Sequence, residues 1–526
     1  MSSAAPHPSR EADSGFDSAG PDFSLRRKLG FILGVPLFLL FLWPALTPGL
    51  NEPARRLLAV CVLMAFWWIT EALPMPVTSL LPMVLFPLLG IMPMGEVTRQ
   101  YGDEILFLFM GGFCLAMAMQ RWHLHKRIAL HIIRLIGTSP SRIILGFMCA
   151  TAFISMWISN TATTMMMYPI ALAVISQLGE DQEFLVPERM RNFRICIMLG
   201  VAYAASIGGM GTLLGTAPNL ILVTNVKKLF PGAPEVNFVR WAAFGVPLVL
   251  LFTPITWLVL TRLVFRIGPT HSQRSREIIA SEIDKLGLIS KAEKWVLLIF
   301  ILAVLGWVFR VELNMEAFRI PGWATALGVQ DRVTDATVAI IAAVLLFLTP
   351  MNWRRGEFLL DWKTAAQLPW GLLIFFGGGL ALSAGFKSTG LSDWLGEQLQ
   401  VAQHLSPLAM ILLACAAITL ISELASNTAT AAIFVPIFAA SAQAVQVNPL
   451  FVMIAVAVAA SCGFMLPIAT GPNAIVFGSG YLRTPDMVKA GFWLDLIGIL
   501  LVTLVVYLFA VPAFQIDLGQ FPDWAR

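Results

Sequence analysis

A chain of 526 residues that is 58% hydrophobic and only 13% charged falls far below the ~25% charged residues of a soluble globular domain, so most of its surface must face a lipid bilayer. A net charge of +4 is too small to mark nucleic acid as a partner. The six cysteines sit apart in apolar runs, without the spacing of a disulfide framework or a metal site.

Residues 1–28 read as a disordered cytoplasmic tail, because Met1 to Ser24 are rich in Ser, Pro, Ala and Asp. No signal peptide is expected, since this polar stretch precedes the first apolar run. Arg26, Arg27 and Lys28 flank that run on its cytoplasmic side. A helical span needs about 20 mostly apolar residues. Eleven such spans are predicted, at 29–48, 56–73, 75–94, 104–122, 194–225, 240–265, 293–312, 334–350, 366–388, 450–480 and 490–513.

Two further apolar stretches, 141–177 and 406–445, are too long for one crossing, and each is interrupted midway by Ser-Asn-Thr. They are expected to be re-entrant helical hairpins, since irregular backbone at membrane depth is tolerated only inside protein or beside a water-filled cavity. Most Lys and Arg fall before the first span and within 121–142, 189–194, 262–294, 354–363 and 483–489. That bias places the N-terminus inside and the C-terminus outside.

Four motifs recur in the same order. Phe109-Met110-Gly111-Gly112 returns as Phe375-Phe376-Gly377-Gly378, and Ser159-Asn160-Thr161-Ala162-Thr163 as Ser426-Asn427-Thr428-Ala429-Thr430. Pro169-Ile170 returns as Pro436-Ile437, and Gly215-Thr216-Ala217-Pro218-Asn219 as Ala469-Thr470-Gly471-Pro472-Asn473. The predicted organisation is an inverted repeat, 29–265 and 293–513, joined by a cytoplasmic linker at 266–292 and followed by an extracytoplasmic tail at 514–526. In secondary transporters built this way the binding site lies at the repeat interface.

The motif chemistry suits an anion beside cations. Ser, Asn and Thr favour helix N-termini, whose free N–H groups and partial positive charge attract anions. Pro218 and Pro472 remove a backbone donor and break their helices, freeing carbonyls that can ligate Na⁺. Among other polar residues, Glu71 is expected to support the scaffold at a helix end. Glu423, three residues before Ser426, is a candidate for orienting the second tip or tuning a cation site. His123 and His125 are expected in solvent or among headgroups.

On these residues the chain resembles the divalent anion/sodium symporter family. Trp68-Ile69-Thr70-Glu71-Ala72-Leu73-Pro74, running on through Val77-Thr78-Ser79-Leu80-Leu81-Pro82, adds to the likeness. The resemblance spans residues 30 to 513 and implies an all-α polytopic membrane protein that works as a homodimeric elevator. A fixed scaffold would dimerise while a transport domain carrying the hairpins and broken helices slides.

Carried over by motif, Asn160, Thr161, Thr216, Ala217, Asn427, Thr428, Thr470 and Gly471 would bind substrate. One sodium site would use Ser155, Ser159, Asn160 and the Gly215 carbonyl, the other Ser422, Ala425, Asn427 and the Ala469 carbonyl. Ala217 and Gly471 stand where many members have proline, a departure on the pocket rim. The expected activity is sodium-coupled uptake of C4-dicarboxylates such as succinate, malate and fumarate across a bacterial plasma membrane. Na⁺ is the coupling ion, and no organic cofactor is expected. Sodium-independent exchange and sulfate or citrate transport remain open within the family. A membrane enzyme would want clustered His, Asp or Glu or a nucleophile–base pair in the spans, and a channel would not need two occluding hairpins.

Overall fold

The computed structural model describes residues 25–137, 139–178, 187–267, 273–315, 318–392, 394 and 406–526. The expected tail up to Ser24 and linker residues 268–272 lie outside that set. Seven of the described helices are long and apolar enough to cross a bilayer: Glu52–Thr70, Met94–Arg121, Pro187–Gly209, Phe238–Val264, Trp370–Thr389, Pro407–Leu424 and Thr484–Ala513. Several other predicted spans appear as shorter pieces for local reasons. Leu25–Phe41 runs 17 residues and Asp335–Leu348 runs 14. Lys291–Val308 carries Lys291, Glu293 and Lys294 in its first turn. The stretch 450–480 is split by a break into Pro449–Ala459 and Gly471–Phe477.

Two short antiparallel ribbons depart from the expected all-α fold. Leu313–Met315 pairs with Phe318–Ile320, and Pro350–Asn352 with Glu357–Phe358. Two amphipathic stretches the hydropathy reading passed over also fold as helices, Leu124–Ile136 and Gln273–Asp284 in the linker. They pack on one another. Lys126 meets Glu282 at 3.5 Å across that contact, and Arg127 meets Glu293 at 2.6 Å beside it. His125 is buried there, its Nδ1 3.0 Å from the Met119 carbonyl. This corrects the solvated reading of that residue, and burial holds its pKa below the usual imidazole value.

Small residues set the close helix contacts, as expected where lipid removes the hydrophobic drive for association. A methyl group added at Gly111 would lie 2.5 Å from the Ala339 backbone, and one at Gly378 2.5 Å from Ser79 O. The Phe-X-Gly-Gly repeat is thus a packing device. Glu71 ends Glu52–Thr70 in the left-handed region, with φ of 53°, and pairs with Arg27 at 3.4 Å. Beyond Ala513 the chain folds back instead of trailing away. Trp524 meets Phe230 edge-on at 5.5 Å, and Gln443 Nε2 donates to Ala525 O at 2.7 Å.

Candidate substrate and cation site

Each hairpin is two helices joined by a short turn that holds part of Ser-Asn-Thr. Pro140–Ser155 leads to Asn160–Leu178, and Pro407–Leu424 to Asn427–Ala444. Ala425 is extended, with φ of −130° and ψ of 158°, which turns the chain out of the first arm. Ser426 occupies the N-cap position without a side-chain capping bond. The Ser159 and Ser426 carbonyls each accept from a threonine N–H, Thr163 or Thr430, at 2.9 Å. Asn160, Thr161, Asn427 and Thr428 are half-buried.

The breaks form as Pro218 and Pro472 dictate, and each is held by the asparagine that follows the proline. Pro187–Gly209 stops, and Ala217–Leu229 begins after an irregular segment. Asn219 Nδ2 donates across that segment to Gly209 O at 2.9 Å and Thr212 O at 2.7 Å. In the second half Asn473 Nδ2 donates to Gly463 O at 3.1 Å and Leu466 O at 3.0 Å. Both asparagines are fully buried, so each amide supplies the donors that the broken helix no longer offers its carbonyls.

Tip and break meet in two matching polar clusters. Ser155 Oγ donates to Ala205 O at 2.7 Å and lies 2.8 Å from the Asn160 side chain. Ser422 Oγ donates to Ala460 O at 2.6 Å and lies 2.8 Å from the Asn427 side chain. The Asn160 amide faces oxygens alone: Ser155 Oγ at 2.8 Å, Ala205 O at 3.0 Å and Gly215 O at 3.3 Å. With its nitrogen turned inward it is a hydrogen-bond donor; with its oxygen inward, four oxygens converge, the donor set of a hard, weakly charged cation. In the second cluster Gly463 marks the meeting point. A methyl group there would lie 3.2 Å from Ala469 Cβ, 3.5 Å from Ser422 O and 3.6 Å from Asn427 Oδ1. Among the described residues no group of three or more His, Cys, Asp or Glu could hold a metal ion, so the clusters suit a cation content with neutral oxygens.

The two halves interlock. Gly471–Phe477 packs on Asn160–Leu178 of the first hairpin, and Ala217–Leu229 packs on Asn427–Ala444 of the second. At the first crossing a methyl group on Gly471 would lie 2.4 Å from Thr161 Oγ1, so glycine lets the first tip seat against the second break. Thr470 uses its hydroxyl to cap Asn473 N at 3.2 Å, whereas Thr216 makes no capping bond. The Ser159 side chain makes no hydrogen bond to the first cluster.

Three features escaped the sequence reading, which did single out Glu423. The Ala205 and Ala460 carbonyls carry no sequence signal, since any residue supplies a carbonyl. Asn219 and Asn473 were visible as motif letters but not as staples. Glu423 accepts from Met465 N and Leu466 N, each at 2.9 Å, and so fastens the second hairpin arm to the second break. Asp495, 4% exposed in Thr484–Val505, was legible as a lone acid in an apolar run.

The chain matches the sodium:sulfate symporter transmembrane region over residues 26–515. It is 41% identical over 500 residues to the sodium-dependent dicarboxylate transporter SdcS of Staphylococcus saprophyticus, covering 95% of this chain and 94% of that one. SdcS of Staphylococcus aureus is 42% identical over the same shares. The fold resembles the YdaH transporter of Alcanivorax borkumensis, at a TM-score of 0.53 and 14% identity over 87% of this chain and 98% of that one. It also resembles MtrF of Neisseria gonorrhoeae, at a TM-score of 0.55 and 12% identity over 97% and 99%. With paired tips, paired breaks and a family match over nearly its whole length, this chain belongs to the sodium:sulfate symporter family of membrane transporters, the divalent anion/sodium symporters.

Proposed function

We propose that the chain is a sodium-coupled C4-dicarboxylate symporter that takes up substrates of the succinate, malate and fumarate type across a bacterial plasma membrane. The observation that carries this reading is the pair of matching Ser–Asn–carbonyl clusters, one under each Ser-Asn-Thr tip. The names of the relatives that are 41% and 42% identical point the same way.

Asn160, Thr161, Thr216, Ala217, Asn427, Thr428, Thr470 and Gly471 would line the anion. Ser155, Asn160 and the Ala205 and Gly215 carbonyls would hold one Na⁺, with Ser159 beside them. Ser422, Asn427 and the Ala425, Ala460 and Ala469 carbonyls would hold the other. The motifs contain no Arg or Lys to neutralise a dianion, and a helix N-terminus contributes only about half a charge. Two co-transported cations supply the remainder, so a loaded site is close to neutral and can cross the bilayer.

Movement would follow the elevator pattern. The hairpins and broken helices travel as one body because each tip is packed against the other half's break. The helices 25–41, 52–70, 104–121 and 335–348 stay behind as the scaffold of a homodimer, with the N-terminus cytoplasmic and the C-terminus outside. Succinate uptake into proteoliposomes with and without an inward sodium gradient tests the reading. Concentrative uptake only with the gradient is expected; uptake driven by internal dicarboxylate and indifferent to sodium would identify an exchanger instead.

A further inference from the structure

The second ribbon carries residues that its own turn does not require. The helix before it, Asp335–Leu348, turns Ile341, Val344, Leu345 and Leu348 outward at helical spacing, all of them exposed. That flank is a lipid-facing stripe. Where the helix ends, the chain folds into Pro350–Asn352 and Glu357–Phe358, joined by the tip Trp353-Arg354-Arg355-Gly356. Tight turns are made by Gly, Asn, Asp and Pro. Gly356, with φ of 63°, and Asn352, whose Oδ1 accepts from Arg354 N at 3.1 Å and Arg355 N at 3.3 Å, meet that need. Nothing in the turn calls for a tryptophan and two arginines. Yet Trp353 is 79% exposed and Trp362, shortly after the ribbon, 69%. Indole groups are apolar bodies with one polar edge, suited to the boundary of a bilayer and costly to leave in water.

The cations of this patch are uncommitted. Arg354, Arg355 and Lys363 are exposed, and among the described residues their side chains make no hydrogen bond or ion pair. Two acids lie in the same stretch. Asp361 is already held, by Arg121 at 2.7 Å and by Thr364 N at 2.8 Å. Glu357 alone is left to oppose three cations. The mount beneath them is well tied. Trp122 Nε1 donates to Leu359 O at 2.8 Å, Leu359 N donates to Thr349 O at 3.0 Å, and Leu359 and Leu360 are buried. Two exposed indoles and a surplus of positive charge are thus fixed at the end of a lipid-facing stripe.

We infer that this ribbon and the turn after it, residues 353–363, bind anionic phospholipid headgroups and anchor this end of the helix bundle to the membrane surface. One such lipid offers both halves of the match: acyl chains for the stripe and the indoles, and a phosphate for Arg354, Arg355 and Lys363. A soluble partner would have to cover indoles that continue a lipid-facing flank. On the reading above, Asp335–Leu348 belongs to the scaffold, and the anchor holds it in place while the transport domain travels.

The test uses the purified full-length protein in mixed micelles carrying phosphatidylglycerol or phosphatidylcholine, with retained lipid counted by native mass spectrometry. Initial succinate uptake is followed in phosphatidylcholine vesicles with and without phosphatidylglycerol. The variants are Arg354→Gln/Arg355→Gln/Lys363→Gln and, as a control at other exposed cations, Lys291→Gln/Lys294→Gln. Wild type is expected to prefer phosphatidylglycerol and to transport faster when it is present. A basic residue near an anionic surface is worth about fivefold in affinity, so the triple variant is expected to lose about tenfold or more and to transport equally slowly in both vesicles. The control is expected to behave as wild type. If the triple variant fails to fold, Arg354→Gln/Arg355→Gln takes its place, with a loss of about fivefold or more expected. Equal retention of the two lipids by wild type would overturn the inference, as would the same loss in the control. A triple variant that turns monomeric on gel filtration with its lipid preference unchanged would assign the patch to a contact between copies and overturn it too. Uptake indifferent to sodium with phosphatidylglycerol retention intact would overturn the symporter reading and leave this inference standing.

Discussion

The first and second halves of this chain solve one problem with nearly the same atoms. Ser155 and Ser422 each reach a side-chain amide and an alanine carbonyl; Asn219 and Asn473 each staple a broken helix through two carbonyls. Both halves also end their last long helix in a π-helical turn, Val259–Val264 and Val506–Ala510. What they share is a hydroxyl, an amide and freed carbonyls under each tip. They also differ at matched positions. Gly215 stands against Ala469, and Met156 stands against Glu423.

The equivalence is tested most severely at the tips. Asn160→Ala and Asn427→Ala are each expected to abolish succinate uptake in proteoliposomes while the protein still inserts and purifies as a dimer. Normal rate and affinity in both variants would end the paired-tip model, and loss in one alone would mean that the halves are not equivalent. Next come the staples. Asn219→Ala and Asn473→Ala each strand two carbonyls in a buried setting, at about 1–3 kcal/mol for each unsatisfied group. Thermal unfolding of the purified protein should show similar drops in Tm for the two, and a stable variant of either would mean that water satisfies that break.

The glycines sharpen the contrast. A methyl group on Gly209 would sit 2.3 Å from Asn160 Oδ1, whereas the nearest atom to one on Gly463 is 3.2 Å away. Gly209→Ala is therefore expected to cut uptake by roughly a hundredfold, the scale of a misplacement of about 1 Å at a site, and Gly463→Ala by only a few-fold. Equal effects would show that the two clusters are equally tight. The smallest effect is expected at Gly471. Gly471→Ala presses on the end of a threonine side chain, Thr161 Oγ1 at 2.4 Å, which can rotate away. A few-fold loss of succinate affinity by isothermal titration is expected, with sodium affinity unchanged.

How much of this was legible follows from the chemistry of each feature. Breaks at Pro218 and Pro472 could be read because proline cannot donate and the flanking glycines loosen the helix. The tips could be read because Ser-Asn-Thr interrupts two overlong apolar runs and each copy is paired with a proline break. The carbonyls of Ala205 and Ala460 could not, since a backbone acceptor leaves no trace in the letters. The helices 124–136 and 273–284 escaped a search for 20-residue apolar runs because they are short and amphipathic. Asp495 was overlooked because a lone acid late in a long apolar run belongs to no motif. The folded-back segment around Trp524 looked like a tail because a short polar end gives no periodicity to read.

Succinate binding to the purified protein, measured across a sodium titration with choline replacing sodium, tests most directly the claim that two cation clusters beside the tips create the anion site. Linkage requires that cations held near the bound carboxylates raise succinate affinity and that succinate raise cation affinity by the same factor. Coupling of this kind is typically worth about 1–3 kcal/mol, so removing sodium is expected to weaken binding about 5- to 150-fold. Ser155→Ala or Ser422→Ala should shrink that dependence. Succinate affinity that stays flat from zero to saturating sodium would contradict the claim.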